Sequence, residues 1–408
     1  MSGLIVTTSH QFSADRSLTT ITIKGLARFE PAEFFFEVAG PDAPRSAPNG
    51  NVAIAAVLPI AMSRGLPVHY EGEADSDFLR NIEECMAAWC RWRPDLFQPV
   101  PLTVEREASP RLPDLRRAMI AFSGGLDSTF ALHAHKRGLM GRRNLNVDAA
   151  MLVHGFDIPL ASARAFEIAR NHNQAILDSY GVRLNIVRTD WKKRFCVKWG
   201  MTHILGLSAI LQLFNRDFSA GVFADDFAYD AQWMPWSNNP VTNQMLGGTA
   251  FEIRSTGASW SRTEKAAVLA DNPVALEHLR VCYEHPDLGG NCGQCGKCVR
   301  TKINFYACGV KAVPALGAQI VASDVEVLRP LNAESVLWYE DALAKGVWPQ
   351  GDPIRLPVEA LVNEYKAGEV RSKTALGVRK QSAFRRLRKP LKSAQRAILH
   401  FIGLHRRS

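Results

Sequence analysis

The pattern of apolar and polar positions changes near residue 118. Before it, residues 18–24 and 34–38 have strand character, rich in β-branched and aromatic side chains. A stretch rich in Pro, Asn and Gly at 41–51 reads as a loop. Next come a helix at 52–64, a strand at 67–71 and a helix at 77–91, with Pro94, Pro99 and Pro101 punctuating the exit and a hinge at 109–113. From 118 onward short apolar runs alternate with helical ones. Strands are expected at 118–122, 149–153, 184–188 and 221–224, and helices at 129–137, 162–180 and 203–214. That alternation predicts an α/β fold, a doubly wound parallel sheet with helices on both faces. Two more helices are expected at 334–344 and 357–365, and no internal repeat is visible.

The chain has 408 residues, enough for more than one domain. The division expected is an N-terminal α+β module at 1–115, a central α/β domain at 116–310, a helical extension at 311–370 and a basic tail at 371–408. A content of 47% hydrophobic and 22% charged residues is that of a soluble globular protein. Ser9, His10, Gln11, Asp15 and Arg16 interrupt any secretory signal near the start, and the longest apolar run, 52–62, is broken by Pro59 and too short to span a bilayer. No transmembrane segment is expected, and a cytoplasmic enzyme is the default. The net charge is +9, but residues 371–408 hold twelve Lys or Arg and no acid, which leaves −3 on the rest. The basic character belongs to the tail.

The segment with most chemical content runs from Ala118 through Phe122, Ser123, Gly124, Gly125, Leu126, Asp127, Ser128 and Thr129. A buried strand enters a glycine turn and a helix follows at once. Glycines allow close backbone approach, and a helix N-terminus aims free N–H groups at an anion, most naturally a phosphate. Ser123 and Ser128 add hydroxyl donors, and Asp127 is placed to hold Mg²⁺. The Lys of a Walker loop is missing. The bland alternative is a glycine turn with a helix cap. Lys265, in Trp260-Ser-Arg262-Thr-Glu-Lys265, is a second phosphate candidate or a solvated first-turn lysine, with Arg262 a weaker one of the same kind. Val153 and Gly155, with His154 and Phe156, are expected to wall an adenine site at the strand ends. Asp225 and Asp226 sit at the same edge and can bind metal, orient substrate or merely face solvent.

Eight cysteines in so long a chain do not form a disulfide scaffold. Cys282, Cys292, Cys295 and Cys298 crowd together as C-x9-C-x2-C-x2-C, which suits tetrahedral Zn²⁺ in a closed structural site. An iron–sulfur cluster is the rival reading. His285 is a substitute ligand or plain surface, and Cys308 a small buried residue.

The loop from Ser123 to Ser128 resembles the Ser-Gly-Gly-x-Asp-Ser signature of the PP-loop ATP pyrophosphatases, whose loop holds the phosphates that leave as pyrophosphate. With Cys282-Tyr283, Cys292-Gly-Gln-Cys295-Gly-Lys-Cys298 and Arg300 it resembles 7-cyano-7-deazaguanine synthase over roughly residues 117–310. The resemblance implies a C–N ligase of queuosine biosynthesis that uses ATP to adenylate a carboxylate on a deazapurine. Ammonia then gives the amide, a second ATP drives its dehydration to the nitrile, and zinc is structural. It also implies catalytic roles for Asp127, Ser128 and Lys265. The chain departs from that family at Val153-His154-Gly155-Phe156, where the family has Tyr-Gly-Gln. It departs again at Trp199-Gly-Met-Thr-His203, where an Arg-Asn pair opens the helix that meets substrate. The first 115 residues and the tail are extra. Their presence is similar to the synthase-like component of the Qat anti-phage systems, which implies antiviral defence and a protein or nucleic-acid acceptor. A non-catalytic ATP-binding interaction module is the third reading, and a homodimer is compatible with all of them. The tail, with Arg385-Arg386-Leu-Arg388-Lys389, fits nucleic acid, an anionic membrane through an amphipathic helix near 394–404, or a solvated extension.

Overall fold

The computed structural model describes residues 3–26, 31–109 and 117–369. The hinge beyond residue 109 and the basic tail, with its amphipathic stretch, lie outside the described residues.

In chain order the elements are β1 (Leu4–Phe12), β2 (Arg16–Lys24), β3 (Ala32–Ala39), α1 (Asn51–Arg64), β4 (Val68–Asp75), α2 (Ser76–Trp92) and β5 (Leu102–Ala108). Then come β6 (Ala118–Ala121), α3 (Leu126–Lys136), β7 (Val147–His154), α4 (Ala163–Asp178), β8 (Arg183–Thr189), α5 (Trp191–Phe195) and α6 (Trp199–Gln212). The chain continues through β9 (Ala220–Ala224), α7 (Pro240–Asn243), β10 (Glu252–Thr256), α8 (Arg262–Leu269), α9 (Pro273–His278), α10 (Gly296–Ala307) and α11 (Ser335–Lys345). A last helix covers 355–369. Helix α3 starts three residues before its expected position, inside the glycine loop segment. Strands β1, β5 and β10 were not anticipated.

All ten strands form one sheet in the order β10-β9-β6-β7-β8-β3-β2-β1-β4-β5. From β10 to β8 the pairs are parallel. The first strand of that half, β6, lies between β7 and β9, so successive strands go first to one side and then to the other. This is the doubly wound arrangement, and the reversal at β6 opens a crevice at the carboxyl strand ends. These central strands are buried on both faces and read as continuous apolar runs, such as Ala118–Ile120 and Ala149–Met151.

The N-terminal segment is joined to the rest by that sheet. β3 pairs antiparallel with β8, placing Phe36 opposite Thr189 and Val38 opposite Val187. In β2 and β3 every second residue is buried, and Ile21, Ile23, Phe34, Phe36 and Val38 enter a core shared with Met119, Met151, Val187, Trp191 and Leu205. Helix α1 is apolar nearly all round because it packs under the sheet against α6. Two polar ties reinforce the junction. Asp42 pairs with Arg117 at 2.8 Å and Arg183 at 2.9 Å. Asn49 and Asn51 bond Asp75, and Asn51 also reaches Gln212 of α6. Among the described residues no helix is long and apolar enough to cross a membrane.

The fully buried Trp191 ties the two halves, its indole Nε1 donating to the Ala56 carbonyl at 2.8 Å. Trp191→Ala is expected to cost about 3–5 kcal/mol, read from the midpoint of a urea denaturation curve. A shift confined to one of two separate transitions would show that the halves are not one cooperative unit.

Candidate functional site

The loop after β6 lies at the strand-order reversal. Gly124 has φ +72°, and a Cβ there would meet the Asn173 amide nitrogen at 2.9 Å, so both conformation and space require glycine. Asn173 is fully buried and holds the loop from beneath, donating to the carbonyls of Ser123 at 3.5 Å and Ala169 at 2.8 Å. From the other side the Arg280 backbone N–H donates to the Gly124 carbonyl at 2.8 Å. The Ser123 and Ser128 hydroxyls lie 3.3 Å apart at the mouth of α3, whose first-turn amides have no intrahelical acceptors. The strand–loop–helix geometry anticipated from the sequence is present.

The loop opens into a cavity of about 590 Å³. Phe122, Ser123, Gly125, Leu126, Asp127, Ser128 and Val153 line it, and Phe156 completes the same wall. Four other expected contacts, Gly124, Thr129, His154 and Gly155, fall outside the lining. Gly124 is packed on Asn173, and Thr129 is buried within α3. Gly155, at φ +114°, has no room for a Cβ against the Thr189 carbonyl, so its glycine serves packing. His154 stacks on Phe166 with centroids 4.1 Å apart, and its Nε2 lies 3.0 Å from the Pro159 carbonyl.

Five cations line the cavity, Lys192, Arg262, Arg280, Lys297 and Arg300, together with the carboxylates of Asp127, Asp157, Asp226 and Glu334. Asp127 pairs with Arg262 at 2.5 Å and with Lys265 at 3.3 Å. Burial would raise its carboxyl, but the charges of Arg262, Lys265, Lys297 and Arg300 carry it below the ordinary value. Lys265 is 0% exposed, so it is not a solvated surface lysine. It lies behind Asp127 in α8, donating also to the Asp225 backbone carbonyl at 2.5 Å, and it is Arg262, one turn earlier, that faces the cavity. The α8 terminus is fixed by a capping box between Ser261 and Glu264. Arg280, Lys297 and Arg300 complete the positive wall. Burial lowers Arg280 and Lys297 from their ordinary values and takes Arg300 down to about 10. Several buried guanidinium nitrogens have no partner: Nε and Nη2 of Arg262, Nη2 of Arg280 and Nε of Arg300. Unsatisfied buried donors are costly.

The other end is aromatic, lined by Trp199, His203, Phe227, Trp236 and Trp338. Trp199 and His203 lie in the first turn or so of α6. Burial holds the His203 imidazole below its ordinary value against the opposing charge of Asp226, and its Nδ1 lies 3.0 Å from both the Trp199 carbonyl and the Ser237 hydroxyl. Asp226 faces the cavity and accepts from the Trp236 indole at 3.0 Å. Asp225 is buried and accepts from the Ala258 N–H at 3.0 Å. Sequence reasoning missed Arg280, Lys297 and Trp338. Arg300 figured only as part of the resemblance.

The four expected metal ligands come together. The thiols of Cys282, Cys292, Cys295 and Cys298 lie within 4.8 Å of one another, with Sγ–Sγ distances of 3.6 Å, 3.6 Å and 4.0 Å. A tetrahedral ion with Zn–S bonds of ~2.3 Å sets its sulfurs ~3.8 Å apart. The four thiols can therefore hold one metal such as zinc, whereas an iron–sulfur cluster needs room for several metal atoms. His285 is not among these ligands, and Cys308 donates to the Thr263 carbonyl at 3.2 Å. Comparison with family models, with curated proteins and with solved structures gives no match to this chain.

Two outcomes follow from this geometry. Purified protein is expected to carry one zinc per chain and Cys298→Ser to lose it, as metal analysis and a thermal melt would read; full folding of metal-free protein would contradict this. Burial raises Asp225 to about 6 against the opposing charge of Lys265. Between its unfolded value and that one the native state holds the extra proton, so this group makes stability fall as pH rises through about 4 to 6. Asp225→Asn is expected to flatten that slope in denaturation midpoints across the window, and an unchanged slope would refute the assignment.

Proposed function

We propose that this chain is an ATP-dependent adenylating enzyme of the PP-loop pyrophosphatase type, converting ATP to AMP and pyrophosphate while activating a carboxylate for amide formation. One observation carries the reading. A glycine loop at the reversal of a doubly wound sheet opens into a cavity in which Asp127 is paired with Arg262 while Arg280, Lys297 and Arg300 have no carboxylate in ion-pair contact.

In this reading the departing diphosphate lies on the loop, held by the first-turn amides of α3, the hydroxyls of Ser123 and Ser128 and the guanidinium of Arg262. Asp127 would hold Mg²⁺, which supplies positive charge to the leaving group. Lys265 orients Asp127 from behind rather than standing in the cavity itself. An oxygen of the acceptor carboxylate attacks the α-phosphorus. That P–O bond forms as the bond to the diphosphate breaks, giving an acyl-adenylate and pyrophosphate. An amine then attacks the acyl carbon and expels AMP, losing a proton. His203, kept neutral, has Nε2 available to take it. The loop and cation wall do not depend on which acceptor is used. Arg-Asn is replaced here by Trp199 and His203, so a deazapurine acceptor is one member of the class proposed. The four cysteines would hold Zn²⁺ in a closed site with no open position, a structural role.

ATP incubated with carboxylates and hydroxylamine is expected to give AMP, pyrophosphate and a hydroxamate. Asp127→Asn is expected to slow this by about 10²–10³-fold, the cost of losing one element of charge stabilisation. Formation of ADP and phosphate in place of AMP and pyrophosphate would overturn the reading.

A further inference from the structure

The cations around the cavity are not equivalent. Arg262 and Lys265 are paired with Asp127. Arg280 donates through Nε to the Gly289 carbonyl at 2.9 Å, and its backbone holds the glycine loop. Lys192 donates to the Phe156 carbonyl at 3.0 Å. Lys297 and Arg300 differ from all of these. Among the described residues neither side chain makes a hydrogen bond or an ion pair, although the charge of Asp157 acts on Lys297 and that of Arg300 on Glu334, and each lies over an aromatic ring. Arg300 lies 3.5 Å over the Trp338 ring and Lys297 5.3 Å over that of Tyr283. The Arg300 Nε is buried and unpartnered. Glu334 lines the same wall without pairing with either.

We infer that Arg300 and Lys297 form a second anion subsite, separate from the glycine loop, that binds the carboxylate of the acceptor. The two residues stand three apart on α10, so they project from one face of the helix. A guanidinium stacked flat on an indole has its plane fixed and its donor edge free, the geometry that takes a carboxylate through two parallel hydrogen bonds. Trp338 stacks on Phe227 with centroids 5.4 Å apart, and the rings continue through Trp236 to His203 and Trp199. An acceptor anchored at Arg300 therefore lays its body along that aromatic wall. The diphosphate end is already supplied by the helix amides, Ser123, Ser128, Arg262 and Arg280. The pair on α10 is what remains for a different anion. The word acceptor rests on the adenylation proposed above, but binding of a carboxylate here does not.

The test is calorimetry on the full zinc-loaded chain with three probes: inorganic pyrophosphate, benzoate and its uncharged isostere benzamide. Benzoate is expected to bind with pyrophosphate already present and more tightly than benzamide. Arg300→Gln should weaken benzoate by about tenfold or more, the cost of removing one partner of a buried charge pair. It should also abolish the preference over benzamide while leaving pyrophosphate affinity and zinc content within about twofold, a change near RT. Arg300→Lys, which keeps charge but loses the planar fork, should recover only part of the loss. Competition between benzoate and pyrophosphate would overturn the inference, as would equal losses of both ligands in Arg300→Gln or no saturable benzoate binding. Failure of adenylation alone shows up separately, as missing AMP with benzoate binding intact.

Discussion

Buried positive charge that is only partly answered by ion pairs is the condition around which this structure is arranged. Asp127 answers Arg262 and Lys265, but Arg280, Lys297 and Arg300 reach the same cavity with no carboxylate paired to them. Charge removed from water is expensive unless it is paired and hydrogen-bonded. The low dielectric that makes this arrangement costly also strengthens the attraction for an anion arriving from outside. Under the proposed function the cavity would be preorganised for negative charge, since several of its guanidinium nitrogens lack a hydrogen-bond partner.

The groups that line this part of the cavity flank the cysteine cluster in the chain. Arg280 stands two residues before Cys282, Lys297 between Cys295 and Cys298, and Arg300 two residues after Cys298. The Asn291 side chain stitches the segment together, accepting from the Val281 and Cys282 N–H groups and donating to the Leu279 and Ala315 carbonyls. Because the Arg280 N–H also grips the Gly124 carbonyl, knot and loop form one mechanical unit. A metal at the thiols would thus fix the positions of groups that line the cavity, as structural metal sites do when they replace an absent core.

The N-terminal half acts on the site indirectly. Its strands continue the sheet beyond β8 and its helix α1 packs under α6, the helix that carries Trp199 and His203 into the cavity. The buried amides of Asn49, Asn51, Gln212 and Asn215 with Asp75 lock that packing in one arrangement. Each partner left behind would be an unsatisfied buried group.

Two features could be read directly from neighbouring residues. The strand–glycine–helix loop and the cysteine spacing are contiguous, and their chemistry depends on glycine conformation and ligand spacing within a few residues. The apolar alternation beyond residue 118 likewise announced the parallel sheet, because buried parallel strands carry uninterrupted apolar runs. The edge strands β5 and β10 escaped notice, since Leu102–Ala108 and Glu252–Thr256 are short and mixed with charge and become strands only through their partners. Joining of the N-terminal half to the main sheet was equally hidden, because pairing of β3 with β8 links residues about 150 positions apart and leaves no local mark. For the same reason Arg280, Lys297, Arg300 and Trp338 resemble ordinary surface positions when read along the chain. Lys265, taken alone, reads equally well as solvated. Burial around a common void is a property of packing, and it is packing that brings Arg280, Lys297, Arg300 and Trp338 to one cavity with Lys265 behind it.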